Sequence, residues 1–210
     1  SGFSSLDISG LKSVPARAFY KMSFFEGTLQ IPATCSFIGE YAFAGCSFEE
    51  VKFLDLNAVV EIERGAFSGI PTMVEIQYPT GIATRAGETK MRDFMFYECT
   101  SLSSFNNLQD YNEIGKYAFY GCKNLNMKLD FTKITSIGTG AFQGCSNLRG
   151  SLVIPASLTR IEDNAFADCT GLSGSLTINV YGTNKNGKKT GETYIGTEAF
   201  KGCTGFKKGT

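Results

Sequence analysis

The sequence predicts a β-rich repeat solenoid, an α/β-type coil of short parallel strands joined by compact turns or short helical pieces. Three observations predict it. A nine-residue phrase, Ile137-Gly-Thr-Gly-Ala-Phe-Gln-Gly-Cys145, returns as Ile38 to Cys46, Ile114 to Cys122, Ile161 to Cys169 and Ile195 to Cys203, with looser copies at Val14 to Met22, Ile62 to Ile70 and Met91 to Cys99. The phenylalanines of these eight copies, Phe19, Phe43, Phe67, Phe96, Phe119, Phe142, Phe166 and Phe200, are spaced by 24, 24, 29, 23, 23, 24 and 34 residues. Most copies are followed by an apolar–polar–apolar triplet, as in Leu29-Gln-Ile31. Self-similarity at a period of about 23 residues marks coils that cannot bury their apolar faces alone and must stack.

The triplets come first in each coil. Leu6-Asp-Ile8, Leu29-Gln-Ile31, Val51-Lys-Phe53, Ile76-Gln-Tyr78, Leu129-Asp-Phe131, Leu152-Val-Ile154 and Leu176-Thr-Ile178 alternate as a short strand with one buried face does. Pro32, Pro79 and Pro155 stop the ladder behind it. The stretch Phe105 to Leu108 is the least regular.

The nine-residue phrase follows. Its first position is always apolar and faces the core. Its fifth is Ala in all copies but one, where it is Met95, and a small residue there implies close backbone approach at a tight turn. The invariant Phe places one ring per coil, stacked inside a dry spine. The ninth is Cys in six copies but Met22 and Ile70 in the others, so it wants an apolar filler rather than a thiolate.

Two stretched gaps are insertions, near 79–90 and 179–194. The second carries Asn186-Gly187, a hairpin-turn signal, with Lys185, Lys188 and Lys189 at its tip. It reads as a protruding contact hairpin or as a tolerated surface insertion. The coils account for residues 1–210 as a single solenoid domain, and eight strands stacked at ~4.8 Å make a rod of roughly 40 Å. Neither end shows a polar capping repeat, so a segment of a longer array, or a chain missing its caps, is expected.

Composition narrows the chemistry. The chain is 42% hydrophobic with 24 glycines, and its formal charge is zero, so no global field favours nucleic acid or an anionic membrane. There is no histidine, which removes Ser-His-Asp and Cys-His pairs and His-based zinc sites. The 20 carboxylates are scattered without a marked pair. No phosphate loop, metal-ligand spacing or cofactor motif is present. Of the seven cysteines, six lie in the repeat column, where a disulfide between neighbouring coils is conceivable but buried free thiols fit better; Cys35 stands apart as the candidate surface thiol.

Two surfaces can recognise a partner. The outward mid-strand positions Gln30, Lys52, Gln77, Asn106 and Asp130 form a polar row of mixed sign, free of aromatics, or simply a solvated sheet face. On the turn side, Phe94 and Tyr97 share columns with Tyr117 and Tyr120, so neighbouring coils bring four rings together, with Tyr20 and Tyr41 repeating the theme weakly. Such rings are partner contacts, or they merely cover the turns.

The unit L-x-x-I-x-I-P-x-x-x-x-x-I-G-x-x-A-F-x-G-C, matched at almost every position by Leu148 to Cys169, resembles the BspA-type leucine-rich repeat family. The resemblance covers the chain apart from the insertions. It implies a right-handed leucine-rich-repeat coil. It also implies a surface or secreted protein of bacteria or protozoan parasites, associated with adhesion. The expected function is a non-catalytic binding module recognising a host or matrix protein or a glycan, with no cofactor, no nucleic acid and no membrane-spanning segment. A spacer presenting another domain, or an accessory segment of an enzyme whose active site lies elsewhere, is the alternative.

Overall fold

Apolar and polar residues alternate where the triplets lie, and strands form at most of them. The computed structural model describes residues 5–58, 61–79, 89–179, 182–183, 189–190 and 193–207. With strands numbered in chain order, the triplets build β2 (Thr28–Ile31), β4 (Glu50–Phe53), β6 (Glu75–Gln77), β10 (Gly150–Ile154) and β12 (Leu172–Ile178). β2, β4 and β6 pair in parallel, and so do β10 and β12. The register sets Leu29 beside Val51 and Val51 beside Ile76, with Gln30, Lys52 and Gln77 aligned on the opposite face. Because successive side chains of a strand point to opposite sides, this register sends every apolar residue to the core at once.

Two triplets expected as strands are not. At Leu6 to Ile8 the Asp7 carboxylate accepts the Ser9 amide at 2.9 Å, and at Leu129 to Phe131 the Asp130 carboxylate accepts the Thr132 amide at 3.0 Å. An aspartate that folds the chain onto its own backbone competes with the strand ladder. The stack therefore lapses between β6 and β10, where Leu108–Asp110 forms a 3₁₀ turn.

The first position of the repeated phrase does more than face the core. It is the second residue of another strand: β1 (Ser13–Val14), β3 (Phe37–Ile38), β5 (Glu61–Ile62), β7 (Lys90–Met91), β8 (Glu113–Ile114), β9 (Ser136–Ile137), β11 (Arg160–Ile161) and β15 (Tyr194–Ile195). These pair in parallel as β1-β3-β5 and as β7-β8-β9-β11-β15. A complete coil thus contributes two strands rather than one. The close backbone approach belongs to the glycine after this strand: a Cβ on Gly39 would lie 2.5 Å from the Ala16 nitrogen.

The repeated phrase, expected as compact turns or short helical pieces, holds turns and no helix. Its fourth position (Arg17, Tyr41, Gly65, Phe94, Tyr117, Gly140, Asn164, Glu198) and its eighth (Lys21, Gly45, Gly69, Glu98, Gly121, Gly144, Asp168, Gly202) all have positive φ. A left-handed residue every four positions prevents consecutive right-handed turns. It also aims amides along the solenoid axis. The Tyr117 N–H donates to Thr139 O at 2.9 Å, Phe119 N–H to Ala141 O at 2.8 Å and Gly121 N–H to Gln143 O at 2.8 Å, each in the next coil. This third ladder continues past the first insertion, through Gly65 N–H to Asp93 O and Gly69 N–H to Tyr97 O.

Inside runs the phenylalanine spine. Successive rings from Phe19 to Phe200 stack with centroids 5.3, 5.8, 6.4, 5.4, 5.3, 5.3 and 5.4 Å apart and planes within 25°. The longest step, Phe67 to Phe96, falls at the first insertion. The six inner rings are fully buried. All seven cysteines are free thiols, and each column cysteine donates its S–H to the phenylalanine carbonyl of the preceding coil, as Cys122 does to Phe96 O at 3.0 Å. The column is thus more than filler. Cys35 is buried and bonded to Phe37 O, so it is not a surface thiol; the partly exposed cysteine is Cys203.

The second insertion starts and ends as the expected hairpin, with β13 (Gly182–Thr183) antiparallel to β14 (Lys189–Thr190). Lys185 and Lys188, the Asn186-Gly187 turn and residues 80–88 of the first insertion lie outside the described residues.

Candidate functional site

On the strand face, Gln30, Lys52 and Gln77 form one lateral row. Its charge is consumed locally. Lys52 Nζ lies 2.8 Å from Glu50 Oε2, which also accepts Thr28 Oγ1 at 3.1 Å. The Lys52 hydrogen bond holds the Glu50 carboxyl below the usual carboxylate range. Asn106 and Asp130 are exposed but sit where no strand forms, and Asp130 is engaged in its turn, so they do not extend the row. The backbone of Lys189 lies in β14, which pairs with β13 in a sheet separate from the row.

On the turn side the structure brings Phe94, Tyr97, Tyr117 and Tyr120 together. Tyr97 stacks on Tyr120 at 4.8 Å and 7°, and Phe94 on Tyr117 at 5.3 Å. The two pairs touch at 5.8 Å (Phe94–Tyr97) and 5.7 Å (Tyr117–Tyr120). Burial, with Glu98 nearby, keeps the Tyr97 hydroxyl above its ordinary pKa, so it remains a neutral donor near pH 7.

The cluster continues towards the first coil through Tyr41 and through two arginines, Arg17 and Arg64, that sequence reasoning missed. In the column of fourth positions, the Arg64 guanidinium lies 5.6 Å from the Tyr41 ring centroid and 5.5 Å from that of Phe94, and Arg17 lies 5.9 Å from Tyr41. Arg64 enters from the third position because Gly65 leaves its own rung empty. The Tyr41 ring occupies that space: a Cβ on Gly65 would sit 2.2 Å from it. The column therefore reads Arg17, Tyr41, Arg64, Phe94, Tyr117 without a break. The signal was in the copies, but arginine and tyrosine one position apart do not look like one stack until the chain is coiled.

The column of seventh positions beside it reads Tyr20, Ala44, Ser68, Tyr97, Tyr120 and is broken where its residues are small. There a cleft opens over Ala44, Gly45, Ser68 and Gly69 between Tyr20 and Tyr97, part of a groove of about 870 Å³ that runs on past Tyr97 to Tyr120 and Gln143.

The sequence profile of the BspA type leucine-rich repeat region matches six copies in this chain, over residues 12–89 and 57–173. The chain belongs to the BspA-type leucine-rich repeat family. A comparison with proteins of curated function returns no relative. Among solved structures, a leucine-rich repeat protein from Bacteroides ovatus superposes with a TM-score of 0.75 at 22% identity, over 95% of this chain and 46% of that one. This BspA-type chain therefore spans less than half the length of that protein. A leucine-rich repeat protein of T. pallidum (TM-score 0.48, 22% identity, 83% and 70% covered) is a more distant match. So is a leucine-rich cell surface protein of Faecalibacterium prausnitzii (0.30, 18%, 97% and 85%). At these identities the likeness is one of fold. Among the described residues of the BspA-type coil, no three His, Cys, Asp or Glu side chains converge as a metal site, and no helix is long and apolar enough to cross a membrane.

Proposed function

We propose that this chain is a non-catalytic protein-recognition module of a cell-surface or secreted bacterial protein, and that the aromatic cleft on its turn side is the binding surface. The observation that carries this reading is the backbone under the rings. Tyr41, Phe94 and Tyr117 sit at φ 54–59°, a position filled by Gly65, Gly140 and Asn164 in other coils. A left-handed conformation costs a bulky L-residue about 1–2 kcal/mol, which glycine avoids. The turn geometry therefore does not call for aromatic residues there, and their gathering around an open cleft fits contact with a partner. The self-paired strand face has no such feature. The repeat core absorbs the recurrent Phe, Cys and Gly residues. Family membership supports the surface location, with host or matrix adhesion as the setting.

The test is a binding screen against extracellular matrix and bacterial-surface proteins with three forms: unaltered, Tyr97→Ala with Tyr120→Ala, and Gln30→Ala with Lys52→Ala. The tyrosine variant is expected to lose tenfold or more of the affinity, about 1.4 kcal/mol or above, and the strand-face variant to keep it. The opposite pattern moves the site to the sheet.

A further inference from the structure

We infer that the break in the seventh-position column, over Ala44 and Ser68, seats a planar side chain from an acidic peptide segment. This rests on the cleft being the binding surface and names what enters it.

Geometry comes first. Tyr97 gives one face to Tyr120, so its other face turns towards the coil of Ser68. Tyr20, 45% exposed, stands at the far side of the same cleft. Three coil spacings of ~4.8 Å separate the coils of Tyr20 and Tyr97, which leaves about two rungs vacant in a ladder whose rings stack at that spacing. The floor offers no side chain larger than serine. Ser68 is 8% exposed, and its hydroxyl makes no hydrogen bond among the described residues, which leaves a buried donor turned to the cleft without a partner.

Charge supplies the rest. Arg17 and Lys21 line the Tyr20 end, and among the described residues their side chains lie over the rings of Tyr41 and Tyr20 and make no ion pair. Arg64 is already paired with Glu40 at 3.3 Å, and the acid of the cleft, Glu98, lies at the opposite end. Two unpaired cations at one mouth favour an occupant with carboxylates beside its ring. A neutral glycan carries no charge to meet Arg17 and Lys21, and its puckered ring fits a single platform better than a stacking slot. A peptide carrying tyrosine or phenylalanine between aspartates or glutamates matches both the slot and the sign.

The experiment is fluorescence polarisation with a labelled acetyl-Asp-Asp-Tyr-Asp-Asp-amide. Controls replace its tyrosine by alanine or its aspartates by lysine, and a hyaluronan hexasaccharide serves as competitor. The acidic tyrosyl peptide is expected to bind, the alanine form about tenfold more weakly or worse, and the lysine form not measurably. Ser68→Tyr is expected to abolish binding by restoring the rung. Tyr20, Tyr97 and Tyr120 occupy the same repeat position, so this variant should fold, and an unchanged melting temperature checks that. Arg17→Ala with Lys21→Ala is expected to weaken binding about tenfold and flatten its salt dependence. Equal binding of the alanine peptide, full binding by Ser68→Tyr, or displacement by the hexasaccharide overturns the peptide seat. If no peptide binds while Tyr97→Ala with Tyr120→Ala still loses a screened partner, the seat fails and the cleft stands; if that partner is also unaffected, both fail.

Discussion

At the scale of single residues, one coil's glycine is where the previous coil's tyrosine lies. A Cβ on Gly140 would sit 2.5 Å from the Tyr117 ring, at a backbone position with φ 58°. Two separate costs therefore oppose any side chain there, a clash and a left-handed strain. Gly140→Ala is expected to destabilise by about 2–3 kcal/mol in urea unfolding, and by only about 1–2 kcal/mol when Tyr117→Ala has removed the ring. Equal losses in both backgrounds would show that the ring does not press on this glycine. The sequence displayed Gly140 and Tyr117 as members of one column. It did not display that one covers the other, because that depends on the direction in which a left-handed residue throws its side chain.

At the scale of elements, the turn phrase is a hydrogen-bonded ladder with sulfur in it. Each column cysteine caps a phenylalanine carbonyl one coil back, and at Cys99, Cys122, Cys145 and Cys169 the bond is fully buried. Burial raises the thiols of Cys46 and Cys99 from the ordinary 9.0 to about 12. The sign follows from linkage. Above pH 9 the unfolded chain releases thiol protons that the folded chain retains, so stability present in full below pH 9 is lost as pH rises towards 12. Each such thiol contributes a slope of about 1.4 kcal/mol per pH unit across that window. Urea midpoints are expected to fall steeply above pH 9, and Cys99→Ala to make the fall shallower; a flat profile would place the thiols in contact with solvent. With a thiol reagent in native buffer, Cys203 is expected to react first, and the six buried cysteines, Cys35 included, only on unfolding. The strand elements were legible wherever apolar and polar residues alternate, as at Leu29 to Ile31. They failed at Asp7 and Asp130, where alternation is intact but an aspartate turn wins locally.

At the scale of the whole molecule, the phenylalanine spine ties each coil to its neighbours and to nothing farther away. Stability in such an array is nearly a sum of coil and interface contributions. Phe119 is fully buried between Phe96 and Phe142, whereas Phe200 ends the column and is partly exposed. Phe119→Ala is expected to cost about 3–5 kcal/mol and to broaden or split the unfolding transition, since it severs the column in the middle. Phe200→Ala is expected to cost clearly less and leave one transition. Equal penalties would mean that the coils fold as a single globular unit.

The sequence by itself determined the repeat, its phase, the core-facing columns and the stacked rings, because a residue that recurs once per coil must lie over its own copies. It also showed that Phe94, Tyr97, Tyr117 and Tyr120 share two columns. Only the tertiary structure decided what lies between columns. The second strand in each coil, the left-handed turn ladder and the cleft between Tyr20 and Tyr97 arise from backbone directions and from places where side chains are small. A vacancy is set by what surrounds it in three dimensions, and Ala44 and Ser68 acquire their meaning only when the rings on either side are in place.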